Sequence, residues 1–235
     1  MHASKADNQV NGPSITTTMK TENPENYSVF DIETGPLPEE VLLASAPEFK
    51  PASNLKDPEK IKASIEEKRE AYFRDAALSP LTGRVLAVGM RKPNGDLLIA
   101  HGEDEADILR KLVHQIGLYI QQSIPVAGFN IRSFDLPFIR FRCAVHGIHC
   151  GKLMDRWKGR VYWNEQFVDL MEEVTMGRER SGNGLDAVCK ALGIPGKTGN
   201  GAMFAKLYKE APESALDYLR NDIRATASVY EKLML

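Results

Sequence analysis

The chain has 235 residues, 43% of them hydrophobic and 26% charged, which is typical of a soluble globular protein with one large domain. A formal net charge of −2 excludes binding of nucleic acid through bulk positive charge, although a local basic track remains compatible with it. Three cysteines without CxxC spacing predict no disulfide framework. No apolar run is long enough for a membrane span, and the N-terminus lacks the continuous apolar core of a signal peptide, so we expect a cytoplasmic protein with no membrane partner.

The first predicted element is a strand that follows a polar tail. Residues 1–26 show no apolar period, and we expect them to be disordered. Residues 27–32 favour a strand, in which Asp31 and Glu33 project from the same face because they are two positions apart. Residues 34–36, Thr-Gly-Pro, are predicted to stop the strand and to place both acids at its C-terminal end. Because two neighbouring carboxylates repel each other, this arrangement predicts a cation between them. The ordinary alternative is a strand that runs out into solvent through an acidic turn.

Residues 38–80 look like an insertion between this strand and the next. Prolines punctuate the segment, and residues 57–77 resemble a charged helix with Asp57 as N-cap and Pro58 at its first position. The apolar positions of this helix form only a thin stripe, so we expect it to lie over the surface of the domain. The sequence leaves open whether it covers a substrate.

The middle of the chain predicts a mixed α/β sheet. Two β-rich runs, residues 83–90 and 96–100, are joined by Asn94-Gly95, a strong hairpin signal. Residues 104–122 have the pattern of an amphipathic helix, and residues 124–129 that of a buried strand. Strand, helix and strand in this order build parallel pairing, so we expect a hairpin-led sheet continued by a parallel strand, with helices on its faces.

A second acidic signal, Asp135, stands between the buried strand and the next predicted helix, which has Pro137 in its first turn. In isolation, Asp135 fits a helix-capping acid as well as a site residue. Residues with the side chains of zinc ligands follow, but their spacing fits no standard finger and we predict no zinc site. They are Cys143, His146, His149 and Cys150.

Further along, residues 167–171 predict a short strand with Asp169 as a weaker acidic candidate, and residues 184–192 predict a short helix. The Gly-Lys-Thr run at 196–198 does not form a P-loop, because Ala191 replaces the required glycine and a helix precedes the segment. Lys197 nevertheless remains a candidate contact for a backbone phosphate.

The last predicted element is a long helix over residues 212–235. Tyr218 and Asp222 are four positions apart and share one of its faces. Its buried stripe is predicted to consist of Leu216, Leu219, Ile223, Tyr230 and Leu233.

Taken together, these signals resemble the DEDD superfamily of 3′-to-5′ exonucleases. The first motif, Phe-Asp-Ile-Glu-Thr, contains Asp31 and Glu33, and the second, Gly-Phe-Asn-Ile-Arg-Ser-Phe-Asp-Leu-Pro-Phe-Ile, contains Asp135. The third is Tyr218-x-x-x-Asp222, typical of the branch named for its tyrosine. The sister branch has histidine where this chain has Asp217, and the second motif looks most like the proofreading domain of family B DNA polymerases.

The resemblance covers residues 27–235 apart from the insertion, and implies an RNase H-like α/β fold: a mixed five-stranded sheet with helices on both faces. It implies a metal-dependent exonuclease that hydrolyses single-stranded DNA 3′ ends to nucleoside monophosphates with two Mg²⁺ or Mn²⁺ ions. Asp31 would bridge the ions, Glu33 and Asp222 would complete one site, and Asp135 would support the second.

Three further residues receive roles from the resemblance. Tyr218, a phenol with an ordinary pKa of about 10, would orient the attacking water rather than deprotonate it. Asn130 and Phe134 would hold the terminal nucleotides, the ring of Phe134 stacking on a base.

Cations and aromatic residues between positions 132 and 163 predict a track for a single strand, or else a solvated basic loop. They are Arg132, Arg140, Arg142, Lys152, Arg156, Lys158 and Arg160, with Trp157, Tyr162 and Trp163 interleaved. The sequence does not decide between DNA and RNA, so an exoribonuclease is an alternative, and a non-catalytic nucleic-acid-binding module is another. A chain of this length has no room for a polymerase, so proofreading would serve a replication or repair partner.

Overall fold

The computed structural model of the protein describes residues 26–157, 160–176, 184–195 and 204–234. The predicted disordered tail, residues 1–26, lies outside these ranges except for its last residue. Among the described helices, none is both long enough and apolar enough to span a membrane.

The described strands form two sheets. They are β1 (Ser28–Pro36), β2 (Gly83–Arg91), β3 (Leu97–His101), β4 (Val126–Gly128), β5 (Met154–Trp157), β6 (Arg160–Trp163) and β7 (Phe167–Asp169). Five of them form one sheet in the order β3-β2-β1-β4-β7, and β5 pairs with β6 in a separate hairpin.

The described α-helices surround the larger sheet. They are α1 (Glu39–Ser45), α2 (Pro58–Arg74), α3 (Glu105–Gln121), α4 (Asp135–Val145), α5 (Leu170–Thr175), α6 (Leu185–Ala191), α7 (Phe204–Glu210) and α8 (Pro212–Met234). Short 3₁₀ turns cover Ala76–Leu78 and Gly151–Leu153.

The pairing of the strands confirms the predicted mixed α/β sheet. β1 and β3 are both antiparallel to β2, whereas β4 is parallel to β1 and β7 is parallel to β4. Helices α3 and α4 pack on one face of the sheet, and α6, α7 and α8 pack on the other. A mixed five-stranded sheet with helices on both faces agrees with the fold that the resemblance implies.

Alternation along β1 decides which side chains face α8. Phe30 and Ile32 enter the core shared with α3 and α4, while Tyr27 and Val29 enter the core shared with α8. Side chains at odd positions therefore point toward α8. The acids at positions 31 and 33 continue this odd-numbered series, so the strand directs both of them toward that helix.

The first strand ends at Pro36, the last residue of the predicted stop Thr34-Gly35-Pro36, and does not stop before Thr34. β1 continues to Pro36, which pairs with Gly83, because β2 extends alongside it for the whole distance. On the opposite side β4 pairs with β1 only at Ser28 and Val29. Asp31 and Glu33 thus lie beyond the carboxyl end of β4, where a crevice opens between the parallel strands.

The inserted segment contains helix α2, as predicted, with a different end. The Asp57 carboxylate caps the helix by accepting a hydrogen bond from the Glu59 backbone N–H at 2.9 Å. The helix ends at Arg74 rather than at residue 77, and a 3₁₀ turn begins at Ala76. None of the α2 side chains is fully buried, which agrees with a helix lying over the surface.

Several elements were not predicted. Helices α1 and α7 are seven residues each, too short to show a helical period clearly. The β5–β6 hairpin lies in the segment for which the sequence predicts either a basic track or a solvated basic loop. Leu233, assigned to the buried stripe of the last helix, is 38% exposed and stands one residue before the end of α8.

A buried ion pair joins the sheet to two helices on its α3 side. The guanidinium of Arg142 on α4 donates to the carboxylate of Glu105 on α3 at 2.6 Å, and Val85 of β2 donates its backbone N–H to the same carboxylate at 2.8 Å. His146 Nε2 lies 2.8 Å from Glu105 Oε2. Burial by itself would raise the pKa of Glu105, but these hydrogen bonds outweigh it and hold that pKa below its ordinary value.

Candidate active site

Three carboxylates meet between β1 and α8. Asp31, Glu33 and Asp222 each offer an oxygen, and these oxygens lie within 4.8 Å of one another. Glu33 and Asp222 are buried, whereas Asp31 is partly open to solvent. Within the described ranges this is the one group of His, Cys, Asp or Glu side chains arranged to hold a metal ion. Residues from opposite ends of the chain thus form a single acidic centre.

Gly89 on β2 allows α8 to approach the sheet closely enough for this contact. It pairs with Asp31 in the register of β1 and β2 and faces the same helix. A Cβ atom at position 89 would lie 2.8 Å from Ile223 Cγ1 and 2.9 Å from Leu219 Cγ. Since neither atom is the free end of a side chain, a larger residue would displace the helix that carries Asp222.

We therefore expect Gly89→Ala to lower the hydrolytic rate at least about tenfold and to destabilise the fold by about 1–3 kcal/mol through overpacking. Gly184→Ala is the matched control, because position 184 has a φ of −66° and nothing within 4 Å of an added Cβ. Thermal unfolding and initial rates of the two variants test this. Wild-type activity in Gly89→Ala would show that the close approach of α8 is not needed.

Asp135 lies at the first position of α4 and lines the same pocket as the three acids. Its Oδ1 accepts a hydrogen bond from the Ile32 backbone N–H at 3.1 Å, so it reaches across to β1 instead of acting only as a helix cap. Burial, followed by the negative charge of Asp31, raises the pKa of Asp135 well above its usual range. The Asp135 carboxyl therefore interacts with the charge of Asp31, although it is not one of the three carboxylates whose oxygens cluster within 4.8 Å.

Asp169, the weaker acidic candidate, holds the loop that precedes Asp135. Its carboxylate accepts backbone hydrogen bonds from Asn130, Arg132 and Met171 at 2.9–3.0 Å. Asn130 has a φ of 65°, a left-handed conformation that asparagine tolerates better than most residues. Asp169 therefore positions Asn130 and the start of α4, a function that its place in the sequence does not reveal.

A pocket of about 490 Å³ surrounds the acidic centre. Tyr218, Asn130 and Phe134, all predicted site residues, line it together with the four acids. The inserted segment supplies a further part of the lining: Arg74, Asp75, Ala77 and Leu78. The insertion thus borders the site, which the sequence left open, while Lys197 lies outside the described residues.

The predicted basic track is only partly present. Arg142 is buried in its ion pair with Glu105 and cannot contact a ligand, which contradicts its assignment to the track. Arg132 donates to Glu172 at 3.0 Å and to the Phe167 carbonyl at 2.8 Å. Arg140 and Lys152 are exposed, and the side chains at 156–161 lie outside the described part of the chain.

Comparison with known proteins gives a family and a fold. Residues 87–235 match the family model described as a predicted 3′-5′ exonuclease related to the exonuclease domain of PolB. No curated protein matches the chain. Among solved structures, the family B DNA polymerase of the hyperthermophilic archaeon Pyrobaculum calidifontis is similar, with a TM-score of 0.58 at 17% identity.

This likeness spans 88% of the chain but only 24% of the polymerase chain, so it supports the RNase H-like fold and nothing of the polymerase as a whole. The family match covers more than half of the chain and includes Asp135, Tyr218 and Asp222, whereas Asp31 and Glu33 precede it. The resemblance that the three motifs predicted is confirmed, and the chain belongs to the family of predicted 3′-5′ exonucleases related to the exonuclease domain of PolB.

Proposed function

We propose that this chain is a metal-dependent 3′-to-5′ exonuclease that hydrolyses single-stranded DNA ends to nucleoside monophosphates. The observation that carries the proposal is the meeting of Asp31, Glu33 and Asp222 oxygens within 4.8 Å, in a pocket that Tyr218 also lines. Burying like charges together is unfavourable unless a cation balances them, so the geometry favours a metal centre over a structural role.

The donor atoms of this centre suit Mg²⁺ or Mn²⁺. All of the proposed ligands offer carboxylate oxygen, which these hard cations prefer, and none offers the sulfur or imidazole typical of zinc sites. Asp31, Glu33 and Asp222 would hold one ion, and Asp31 with Asp135 would hold a second. When bound, the pair would lower the pKa of a water molecule and stabilise the charge that develops on the scissile phosphate.

The remaining side chains would position the substrate. The Tyr218 hydroxyl would orient the attacking water, since a neutral phenol is a poor base at pH 7. Phe134 has an aromatic face at the pocket on which a base of any sequence can stack, and Asn130 has an amide that can bond the terminal nucleotide.

DNA is the favoured substrate because the second motif is closest to that of polymerase proofreading domains, and a replication or repair partner follows from the same resemblance. Hydrolysis of RNA is the alternative, and none of the described residues favours it specifically. The three cysteines are free thiols, which fit a reducing compartment, and we propose the cytoplasm as the location.

A time course on 5′-labelled single-stranded DNA tests the function. We expect a ladder that shortens from the 3′ end with Mg²⁺ or Mn²⁺ and no product with EDTA. A matched RNA oligomer in parallel decides between deoxyribonuclease and ribonuclease activity. Binding of both oligomers without product in either metal would instead support the non-catalytic binding module.

A further inference from the structure

A second cavity opens next to the candidate active site. It has a volume of about 910 Å³ and shares Arg74, Ala77 and Ala205 with the acidic pocket, so the two form one continuous depression. The second cavity extends from the end of β1 along the start of β2 to α7. A strand whose 3′ end reached the acids would have an open path in this direction.

Positive charge prevails in this second cavity. Its described lining has four cationic side chains, Arg74, Arg84, Lys206 and Lys209, which we call the basic groove, against the two acids Glu103 and Glu210. Because the whole chain is slightly acidic and the neighbouring pocket strongly so, a polyanion needs such a local surface to approach the site.

The ion pairs of Arg74, Arg84 and Lys206 in the basic groove each have a solvent-exposed carboxylate, although the Arg84 side chain itself is only 25% exposed. Arg84 lies 3.2 Å from Glu103, whose side chain is 87% exposed, and Lys206 lies 4.0 Å from Glu210. Arg74 bonds the neighbouring Asp75 at 3.0 Å on the surface. Exposed pairs of this kind contribute little to stability, so phosphate oxygens can replace the carboxylates readily.

The end of the inserted segment is fixed to the sheet beside the acids. The Thr34 hydroxyl donates to the Ala77 carbonyl at 2.7 Å, and the Thr82 hydroxyl donates to the Ala76 carbonyl at 2.9 Å. Because Thr34 directly follows Glu33, these bonds place Arg74 at the junction between the acidic pocket and the basic groove. The insertion therefore has a defined position at the site.

We propose that the basic groove binds the sugar-phosphate backbone of the substrate strand on the 5′ side of the scissile bond, and that the inserted segment guides the strand through Arg74. This inference rests on the proposed function for the direction of the strand. The competing path is a cavity of about 370 Å³ lined by Arg140, Met154, Tyr162 and Trp163, which has a single cation in its described lining.

Fluorescence anisotropy of a labelled strand of about 12 nucleotides, with EDTA to prevent hydrolysis, tests the path. We expect Arg74→Ala and the double variant Lys206→Ala/Lys209→Ala each to raise Kd about tenfold. The slope of log Kd against log salt should decrease by about 0.7 for each phosphate that a variant no longer binds. Arg110→Ala is the matched control, because this exposed arginine lies on α3, across the sheet.

Hydrolysis separates this inference from the proposed function. In an active enzyme, the groove variants should raise KM for the long strand more than KM for a dinucleotide, which is too short to reach the groove. If the wild type hydrolyses DNA but the groove variants bind it as tightly as Arg110→Ala does, the proposed role of the basic groove is wrong and the nuclease stands. The same conclusion would follow if only Arg140→Ala weakened binding. If binding depends on the groove residues but no hydrolysis occurs, the proposed nuclease function is wrong and the binding role of the groove stands. If the wild type neither binds nor hydrolyses DNA, both proposals are wrong.

Discussion

Replacing Asp31 by alanine is expected to abolish hydrolysis, with a loss of at least about a thousandfold in the single-turnover rate, while the fold remains intact. Asp31 is the most solvent-exposed of the three clustered acids and lies next to Glu33, Asp222 and Asp135, so it is placed to contact both proposed ions. Loss of a ligand shared by two ions removes several kcal/mol of stabilisation from the transition state. The rate on 5′-labelled single-stranded DNA measures it.

The same substitution should not destabilise the metal-free protein. Burial raises the pKa of Asp135 most, and the charge of Asp31 raises it further, which means that the two ionised carboxylates repel each other in the folded state. Without Asp31 the melting temperature in EDTA should stay the same or increase slightly, and the increase on adding Mg²⁺ should be smaller than in the wild type. A melting temperature that falls clearly in EDTA would mean that Asp31 has a structural role.

Asp217→Ala supplies the matched control for the loss of an acid. Asp217 lies on α8 one residue before Tyr218, but its carboxylate is exposed and bonds Arg220 at 2.6 Å on the surface. We expect this variant to keep the wild-type rate. Equal losses in Asp31→Ala and Asp217→Ala would point to a general effect of charge and not to a metal centre.

The parts of the fold that follow from short-range patterns were predictable. Asp57 caps the helix assigned to it, and the hairpin between β2 and β3 turns at Asn94-Gly95. The acids of the first motif share a face because a strand alternates with period two. These features depend only on residues within a few positions of each other.

Features that depend on distant contacts were not predictable in the same way. The continuation of β1 through Pro36 depends on the length of β2. The function of Asp169 depends on the backbone N–H groups that the fold brings to its carboxylate, and that of Gly89 on the side chains of α8 that pack against it. Arg142 looked like part of a basic track because its partner, Glu105, stands on another helix. The presence of other cations nearby in the sequence does not indicate whether a charged side chain is exposed or buried.

Because Arg142 is buried in an ion pair, Arg142→Ala should lower the free energy of unfolding by about 3–5 kcal/mol. The substitution would leave the Glu105 carboxylate, 5% exposed, without its principal counter-charge. Lys111→Ala is the matched control on the helix that carries Glu105, since Lys111 pairs with Asp107 at 2.7 Å on the surface and should contribute less than about 1 kcal/mol. Urea denaturation at neutral pH compares the two variants.

The pH dependence of stability identifies the cause of this loss. Because the hydrogen bonds from Arg142 and His146 lower the pKa of Glu105 in the folded state, the stabilisation from this carboxylate is present above its unfolded pKa and is lost as the pH falls through its folded pKa. Arg142→Ala removes the strongest of these bonds and should flatten the acid limb of the stability curve. The double variant Glu105→Gln/Arg142→Leu removes both charges, keeps a carbonyl acceptor for the Val85 N–H, and should recover much of the loss at neutral pH, because no uncompensated charge stays buried. If the double variant is as unstable as Arg142→Ala, the packing of the arginine stem, and not the stranded charge, holds α4 against α3.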